Sequence, residues 1–346
     1  MKLSDVFLRS RGPVAVVDLG GDAVKVLRLS PGRGRVRIEG ASAAPLPDRL
    51  HPAGLSPEDS PGMDDALREA LASAGVRAGN VGRVLTCLGG PAVRLRQIEL
   101  PPMPDEQIAS ALQFEAKKHI PFDMNDVVLD FEVLERGDAS KGRTVLLAAA
   151  QKEAVRRRAE LLTKHGFEPE IVDITPLAEM NFLESRGLAQ EEAAVGYLDL
   201  GASMFGLSLW RRGGLFLHRY LGVEGRQWTR AIGEARGVPL EAAEDVKQTG
   251  QARELLQWLG HSLDQLVQEV RQSISFYGTR GGRQGLGTLY LGGGNALLSG
   301  LPEHLSSQLG VPVQLPETRP AGAPALVDAR FVAALGLAAR AAGNGA

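Results

Sequence analysis

The chain has 346 residues, 44% hydrophobic and 23% charged, with a formal net charge of −2; that length exceeds what one hydrophobic core ordinarily supports and predicts two lobes. The composition excludes a disordered chain, and the near-neutral charge excludes a global basic field drawing it to nucleic acid or anionic lipid. One cysteine, Cys87, excludes an intramolecular disulfide and a cysteine zinc site, and the six histidines lack metal-ligand spacing.

Residues 1–12, MKLSDVFLRSRG, lack the apolar core of a signal peptide, and no run reaches the roughly 18 apolar residues of a membrane span. The chain is therefore expected to stay in the cytoplasm. Leu3, Val6 and Phe7 share a face if that stretch is helical, but three apolar side chains are too few to anchor a protein, so it reads as a frayed terminus.

VAVV then leads into Asp18-Leu19-Gly20, and AVKVLRL follows after Gly21-Asp22, which predicts a hairpin. RVRIEGAS extends it to three strands. A proline-rich connection (45–62) precedes a helix near 63–74 and the strand RVLTCLG, where Cys87 is expected in the core. Residues 91–174 read strand, helix, strand, strand, helix, strand: VRLRQIEL, a helix from Asp105 to about His119, VVLDFEVL, RTVLLAAA, and a helix near 152–165. Arg156, Arg157 and Arg158 in that last helix read as a solvated face.

AVGYLDL at 194–200 opens a second copy of the first pattern. The turn Gly201-Ala202-Ser203 and the strands MFGLSLW and LFLHRYL follow, at an offset of 181 residues that carries Asp18 onto Asp199, Gly20 onto Gly201, Val26 onto Leu207 and Leu29 onto Trp210. Duplicated lobes are the natural expectation. Beyond them come the helix EGRQWTRAIGEAR, one near 240–248, and a long one from about 252 to 277 with Leu255, Leu259, Leu263, Leu266, Val270, Ile274 and Tyr277 inward. TRGGRQGLG (279–287) connects to TLYLGGGNALLSGL, read as a strand, three glycines and a helix, and RFVAALGLAARAA closes the chain.

Glycines at two facing hairpin tips let backbone approach a charged oxygen closely, so the two turns suit a polyphosphate clamp. Asp18 and Asp199, each just before a turn, can hold the waters of a bridging Mg²⁺, and Lys25 offers the phosphates a point charge. Gly292, Gly293, Gly294 and Asn295 form the third element, where a flat backbone and a helix N-terminus would meet adenine, ribose and phosphate. The expected cofactor set is thus Asp18, Gly20, Gly21, Lys25, Asp199, Gly201, Ala202, Ser203 and Gly292 to Asn295, with ATP and Mg²⁺.

VAVVDLGGDAVKVLRL resembles the first phosphate motif of actin-like ATPases, AVGYLDLGASMFGLSLW the second, and LYLGGGNALLSGL their adenosine motif. Within that superfamily, IELPPMPDEQIASALQFEAKKHIPF followed by VVLDFEVL, then TPLAEMNFL, EVRQSISFY and FVAALGLAAR, is similar to the PilM family of type IV pilus assembly, over about residues 13–340. The resemblance implies an α/β chain with the actin-like duplicated two-lobe ATPase fold, its lobes ribonuclease H-like, and an α+β insert in the first lobe like that of the division protein FtsA. FtsA itself is disfavoured, because AARAAGNGA has no apolar face to enter a membrane.

The division implied is residues 1–90 as subdomain 1A, completed by about 175–192 and 328–346; 91–174 as the insert, 1C; 193–225 as 2A, completed by about 286–327; and 226–285 as 2B. The implied role is a cytoplasmic ATP-binding component at the inner membrane that receives the N-terminal tail of a PilN-like membrane protein, with other pilus platform or motor proteins as further partners. Ile108, Leu112, Ile120, Pro121 and Phe122 are the candidate lining of its groove. Gly21 and Asp22 stand where the superfamily usually has Ser or Thr, which removes a hydroxyl donor and adds negative charge, so weak or absent ATP hydrolysis is expected. Two other readings share the fold. A filament former is one, and a sugar or acetate kinase is the other, for which Glu179 is the acidic residue nearest the cleft, although it reads as a solvated helix position.

Overall fold

The run before the first Asp-Leu-Gly forms β1 (Val14–Leu19), with Ala15, Val16 and Val17 all out of solvent. A strand whose successive residues are all buried needs a packed layer on each face, and the chain supplies both. The computed structural model describes residues 12–31, 36–46, 57–134, 142–189, 193–211, 214–279, 285–319 and 323–342; the expected terminal face of Leu3, Val6 and Phe7 lies outside them. On one side of β1 lies β2 (Ala23–Pro31), followed by β3 (Val36–Pro45), both antiparallel to their neighbour. On the other lie β4 (Arg83–Leu88) and β8 (Ile171–Ile174), in parallel.

A second five-stranded sheet repeats this arrangement with β9 (Ala194–Leu200), β10 (Phe205–Arg211), β11 (Gly214–Tyr220), β12 (Leu286–Gly292) and β13 (Val313–Gln314). Its order, β11-β10-β9-β12-β13, matches β3-β2-β1-β4-β8 strand for strand, with the same parallel and antiparallel pairings. Register confirms the 181-residue offset: Asp18 faces Lys25 across the first hairpin, and Asp199 faces Gly206 across the second.

Two helices fill the space between the sheets, α4 (Thr175–Ser185) and α10 (Val332–Ala341). Their core joins Val16, Leu27 and Leu29 of the first sheet to Val195, Tyr197, Trp210 and Tyr290 of the second. The outer face of the first sheet is covered by α1 (Met63–Ser73), whose Met63, Ala66, Leu67, Ala70 and Leu71 follow one helical stripe. The outer face of the second carries α5 (Gly225–Arg236), α6 (Leu240–Thr249), α7 (Ala252–Trp258), α8 (Gly260–Thr279) and α9 (Leu301–Leu309), packed around Phe205, Trp228, Leu255 and Leu263. The long helix expected over 252–277 is therefore two helices. It breaks at Leu259 and Gly260, where glycine's weak helix propensity meets the end of the first segment.

A third, antiparallel sheet has the order β5-β7-β6, from β5 (Val93–Leu100), β6 (Val127–Val133) and β7 (Arg143–Gln151), with α2 (Asp105–His119) on one face. Its limits are tighter than the expected 91–174. β8 pairs with β4 in the first sheet, and α3 (Lys152–Lys164) sends Leu162 into the core beneath α1. Two further expectations need correction here. Ile108, Leu112 and Ile120 are buried in the core of this third unit, where they seat α2 on its sheet and offer no surface to a partner; Pro121 is exposed and Phe122 half-buried under the Arg94 guanidinium. In α3, Arg156 and Arg157 are solvated, but Arg158 is buried, its guanidinium bonded to Glu58, Thr86 Oγ1 and the Cys87 carbonyl.

Candidate functional site

Both Asp-Leu-Gly turns open onto one cavity of about 770 Å³ between the two five-stranded sheets. Of the expected cofactor residues, Asp18, Gly20, Gly21, Lys25, Asp199, Gly201, Ala202, Ser203, Gly293, Gly294 and Asn295 line it. Gly292 does not. It is the last residue of β12, opposite Asp199, and a side chain there would overlap the Tyr197 hydroxyl.

The turns are held from both sides. Lys25 Nζ lies 2.9 Å from Asp18 Oδ2, and although burial works against the ammonium, the charges of Asp18 and Asp199 outweigh it and raise its pKa. Asp199 is pushed up to about 6 by burial; Lys25 opposes that rise and Asp18 adds to it. Asn295 Nδ2 donates to the Leu200 and Gly201 carbonyls at 3.0 and 3.1 Å, which fixes the second turn and leaves its buried Oδ1 without a partner. Gly293 has φ +82°, and a Cβ there would come within 2.6 Å of Asp199 Oδ1, so glycine is required for close passage.

The segment after the glycines departs from expectation. A single 3-10 turn, Gly294–Leu297, intervenes before α9 starts at Leu301, so no long helix points its N-terminus at the cavity from there. The helix that meets the turns is α5: the amides of Gly225 and Arg226 donate to the carbonyls of Gly201 and Ala202 at 3.2 and 3.0 Å.

A cluster of cavity residues on α5 and α6 escaped the sequence reading. On α6, Glu244 and Lys247 stand one turn apart, 2.6 Å from each other, and both reach Thr229 of α5 at 2.7 and 2.8 Å, with Gln248 behind them. Buried donors and acceptors this close suit the hydroxyls and edge nitrogens of a nucleoside. The Glu-x-x-Lys spacing was visible, but the same spacing on a solvated helix is commoner. Glu179 is also corrected. It is 4% exposed on α4, has no hydrogen-bond partner among the described residues, and faces the cavity one turn after Thr175. Burial, then the charges of Asp199 and Asp18, raise its pKa well above the carboxylate range.

Two duplicated α/β sheets of this order, with paired aspartate turns on an interlobe cavity, define a chain of the actin-like ATPase fold. EutJ from Carboxydothermus hydrogenoformans shares that fold at a TM-score of 0.58 and 17% identity, over 96% of this chain and 94% of that one. MreB 5 of Spiroplasma citri bound to AMPPNP does so at 0.53 and 12%, over 95% of each. The solved PilM–PilN type IV pilus biogenesis complex is far more similar, with a TM-score of 0.81 and 30% identity over 96% of this chain and 99% of that one. The profile of the type IV pilus assembly protein PilM matches residues 16–320, and the chain belongs to that family.

Proposed function

We propose that this chain binds Mg·ATP in the interlobe cavity and receives the cytoplasmic N-terminal tail of a PilN-like inner-membrane protein, acting as a peripheral adaptor of pilus assembly on the cytoplasmic face of that membrane. The observation that carries the nucleotide half is the convergence of both aspartate turns, Lys25 and Asn295 on a single cavity. The donor set fits the ligand: a cation and glycine-lined turns for phosphates, and Thr229, Glu244 and Lys247 for the nucleoside. It also fits Mg²⁺ held through water. Asp18 and Asp199 are two carboxylates only, and among the described residues no group of three or more potential ligands stands together, so the ion would keep most of its waters. Bound there, it would screen the phosphate charges.

The partner half is supported by the 30% identity to the chain solved in the PilM–PilN complex. No helix among the described residues is long and apolar enough to cross a membrane, so a membrane-borne partner would supply the attachment. The cavity continues between the first sheet and the third unit, past Pro57, Pro91, Ala92, Gln151, Glu153 and Arg157. An extended tail placed there meets both apolar and charged walls.

Calorimetry with ATP and MgCl₂ tests the nucleotide half. Gly201→Val places a side chain within 2.8 Å of the Met204 carbonyl and into the turn, and is expected to abolish Mg·ATP binding with a native circular dichroism spectrum. Unchanged affinity in that variant would remove the clamp. Titration of a synthetic PilN-like tail tests the partner half separately.

A further inference from the structure

The register of the second sheet aligns three residues where it meets the cavity. Asp199 of β9 stands opposite Gly206 of β10, and Gly206 opposite Tyr220 of β11, so the turn aspartate and the tyrosine share a face with no side chain between them. The Tyr220 ring takes that space. A Cβ at Gly206 would lie 3.5 Å from its Cε1 and 3.6 Å from its Cδ1, so the ring leans over β10 and lines the cavity. His218 holds it from behind, edge to face, with ring centroids 4.9 Å apart, and Ser208 Oγ fixes His218 in turn at 2.9 Å from its Nδ1.

The hydroxyl crosses to the first lobe. Tyr220 Oη accepts the Gly90 amide at 2.6 Å, and Gly90, at φ +74°, opens the short turn Gly90–Ala92 that joins β4 to β5. Pro91 and Ala92 of that turn line the extension of the cavity in which the tail is placed. A phenol oxygen that accepts one hydrogen bond still has its own O–H to donate. No described residue accepts it. Burial raises the pKa of this phenol; the Gly90 amide opposes that rise and the charge of Asp199 adds to it, so the hydrogen stays in place.

We infer that Tyr220 is a positioning residue that couples the two halves of the cavity, its hydroxyl hydrogen donated to the hydrated polyphosphate beside Asp199 and its oxygen holding the Gly90 turn at the wall of the tail site. This rests on both halves of the proposed function and adds the link between them. Hydrogen bonds in a chain polarise one another, and a hydroxyl that donates becomes a better acceptor. An occupied nucleotide site therefore tightens the bond to Gly90 and steadies Pro91 and Ala92 before the tail arrives.

Hydrogen exchange of the Gly90 amide and calorimetry test this on the whole chain, with Mg·ATP and a synthetic PilN-like tail as probes. Mg·ATP should slow Gly90 exchange severalfold in the wild type and have little effect in Tyr220→Phe, which loses the oxygen and keeps the ring. The tail should bind the wild type more tightly with Mg·ATP than without it, by a factor that falls to about one in Tyr220→Phe. Each ligand measured alone should lose less than about tenfold, the worth of one hydrogen bond. Circular dichroism checks the fold of the variant; if it is not native, Gly90 exchange in the wild type decides. Wild-type coupling in Tyr220→Phe would overturn the inference, as would Gly90 exchange that does not respond to bound Mg·ATP, or a wild type that binds the two ligands independently. Losses in both affinities with an unchanged coupling factor would reduce Tyr220 to a structural residue. A wild type that binds no Mg·ATP would overturn the nucleotide half of the proposed function, one that binds Mg·ATP and no tail the partner half, and either would take this inference with it.

Discussion

Asp199 carries a cost of its site in its titration. Burial is the main cause of its rise to about 6, while the unfolded chain titrates near the ordinary carboxylate value of about 3.9. Between roughly pH 4 and 6 the folded state therefore binds more protons than the unfolded state, and stability falls as pH rises through that window. Above it the loss is complete, on the order of 1–3 kcal/mol. Asp199→Asn should accordingly raise the unfolding temperature at pH 7, with a gain that vanishes near pH 4, and should weaken Mg·ATP at least tenfold. Scanning calorimetry at the two pH values, with a nucleotide titration at the higher one, checks both. A gain over the wild type no larger at pH 7 than at pH 4 would show that burial of the Asp199 carboxylate costs no stability. At this scale the sequence disclosed residues that repeat. Asp18 and Asp199 were legible because each occurs in the same local pattern. Arg226 and Glu244 were not, because what distinguishes each is a partner on another element: Gly21 for the first and Thr229 for the second. Glu179 was placed near the cleft but read as solvated, because its burial and the two aspartates beside it come from the packing.

Secondary elements were read well wherever periodicity decides them, and less well where long-range packing assigns them a place. The strand-helix-strand series over 91–174 came out in order, but β8 belongs to the first sheet because β4 has an open edge for it. In α3 three consecutive arginines look alike, yet helical geometry turns only Arg158 inward, onto Glu58 and the end of β4. Breaking a buried pair leaves an uncompensated charge, so Arg158→Ala should lose about 3–5 kcal/mol in urea unfolding. Arg156→Ala, whose partners Glu153 and Glu160 are solvated, should leave the urea midpoint almost unchanged. Equal effects would mean that Arg158 is as solvated as its neighbour. The crossing of α4 and α10 is tighter still. At Gly336 an added Cβ would run into the Ala178 carbonyl, which is backbone and has no rotamer to yield. Gly336→Ala should therefore destabilise by about 1–3 kcal/mol despite alanine's better helix propensity, and a stabilised variant would show that the helices have room to part.

At the scale of the whole molecule, the arrangement of sheets was legible because duplication writes it twice, whereas the connection between sites was not. The cavity that receives the turns extends without a wall past Glu153, Arg157 and Arg158 to the border of the third unit. Arg158 bridges these regions: it bonds Glu58 on one side and the Cys87 carbonyl on the other, and Cys87 Sγ lies 4.0 Å from Asp18 Oδ1. The second lobe meets the third unit through Arg96, which donates to the His218 carbonyl at 3.4 Å, and meets the turn that leads into that unit through the Gly90 amide, which donates to Tyr220 Oη at 2.6 Å. Closure of the lobes on nucleotide would move all of these contacts together. If a PilN-like tail occupies the extension, its affinity should rise with Mg·ATP, and reciprocity requires the tail to tighten Mg·ATP by the same factor, typically about 5-fold to 150-fold. Titrating the tail peptide with and without Mg·ATP, and Mg·ATP with and without the tail, measures that factor twice. Asp18→Ala should abolish the effect on the tail while leaving its basal binding intact, because Asp18 touches the nucleotide end of the cavity only. Equal tail affinities in all conditions would make the two halves of the cavity independent. Unequal factors from the two directions would show that the tail and the nucleotide are not answering to one closure equilibrium.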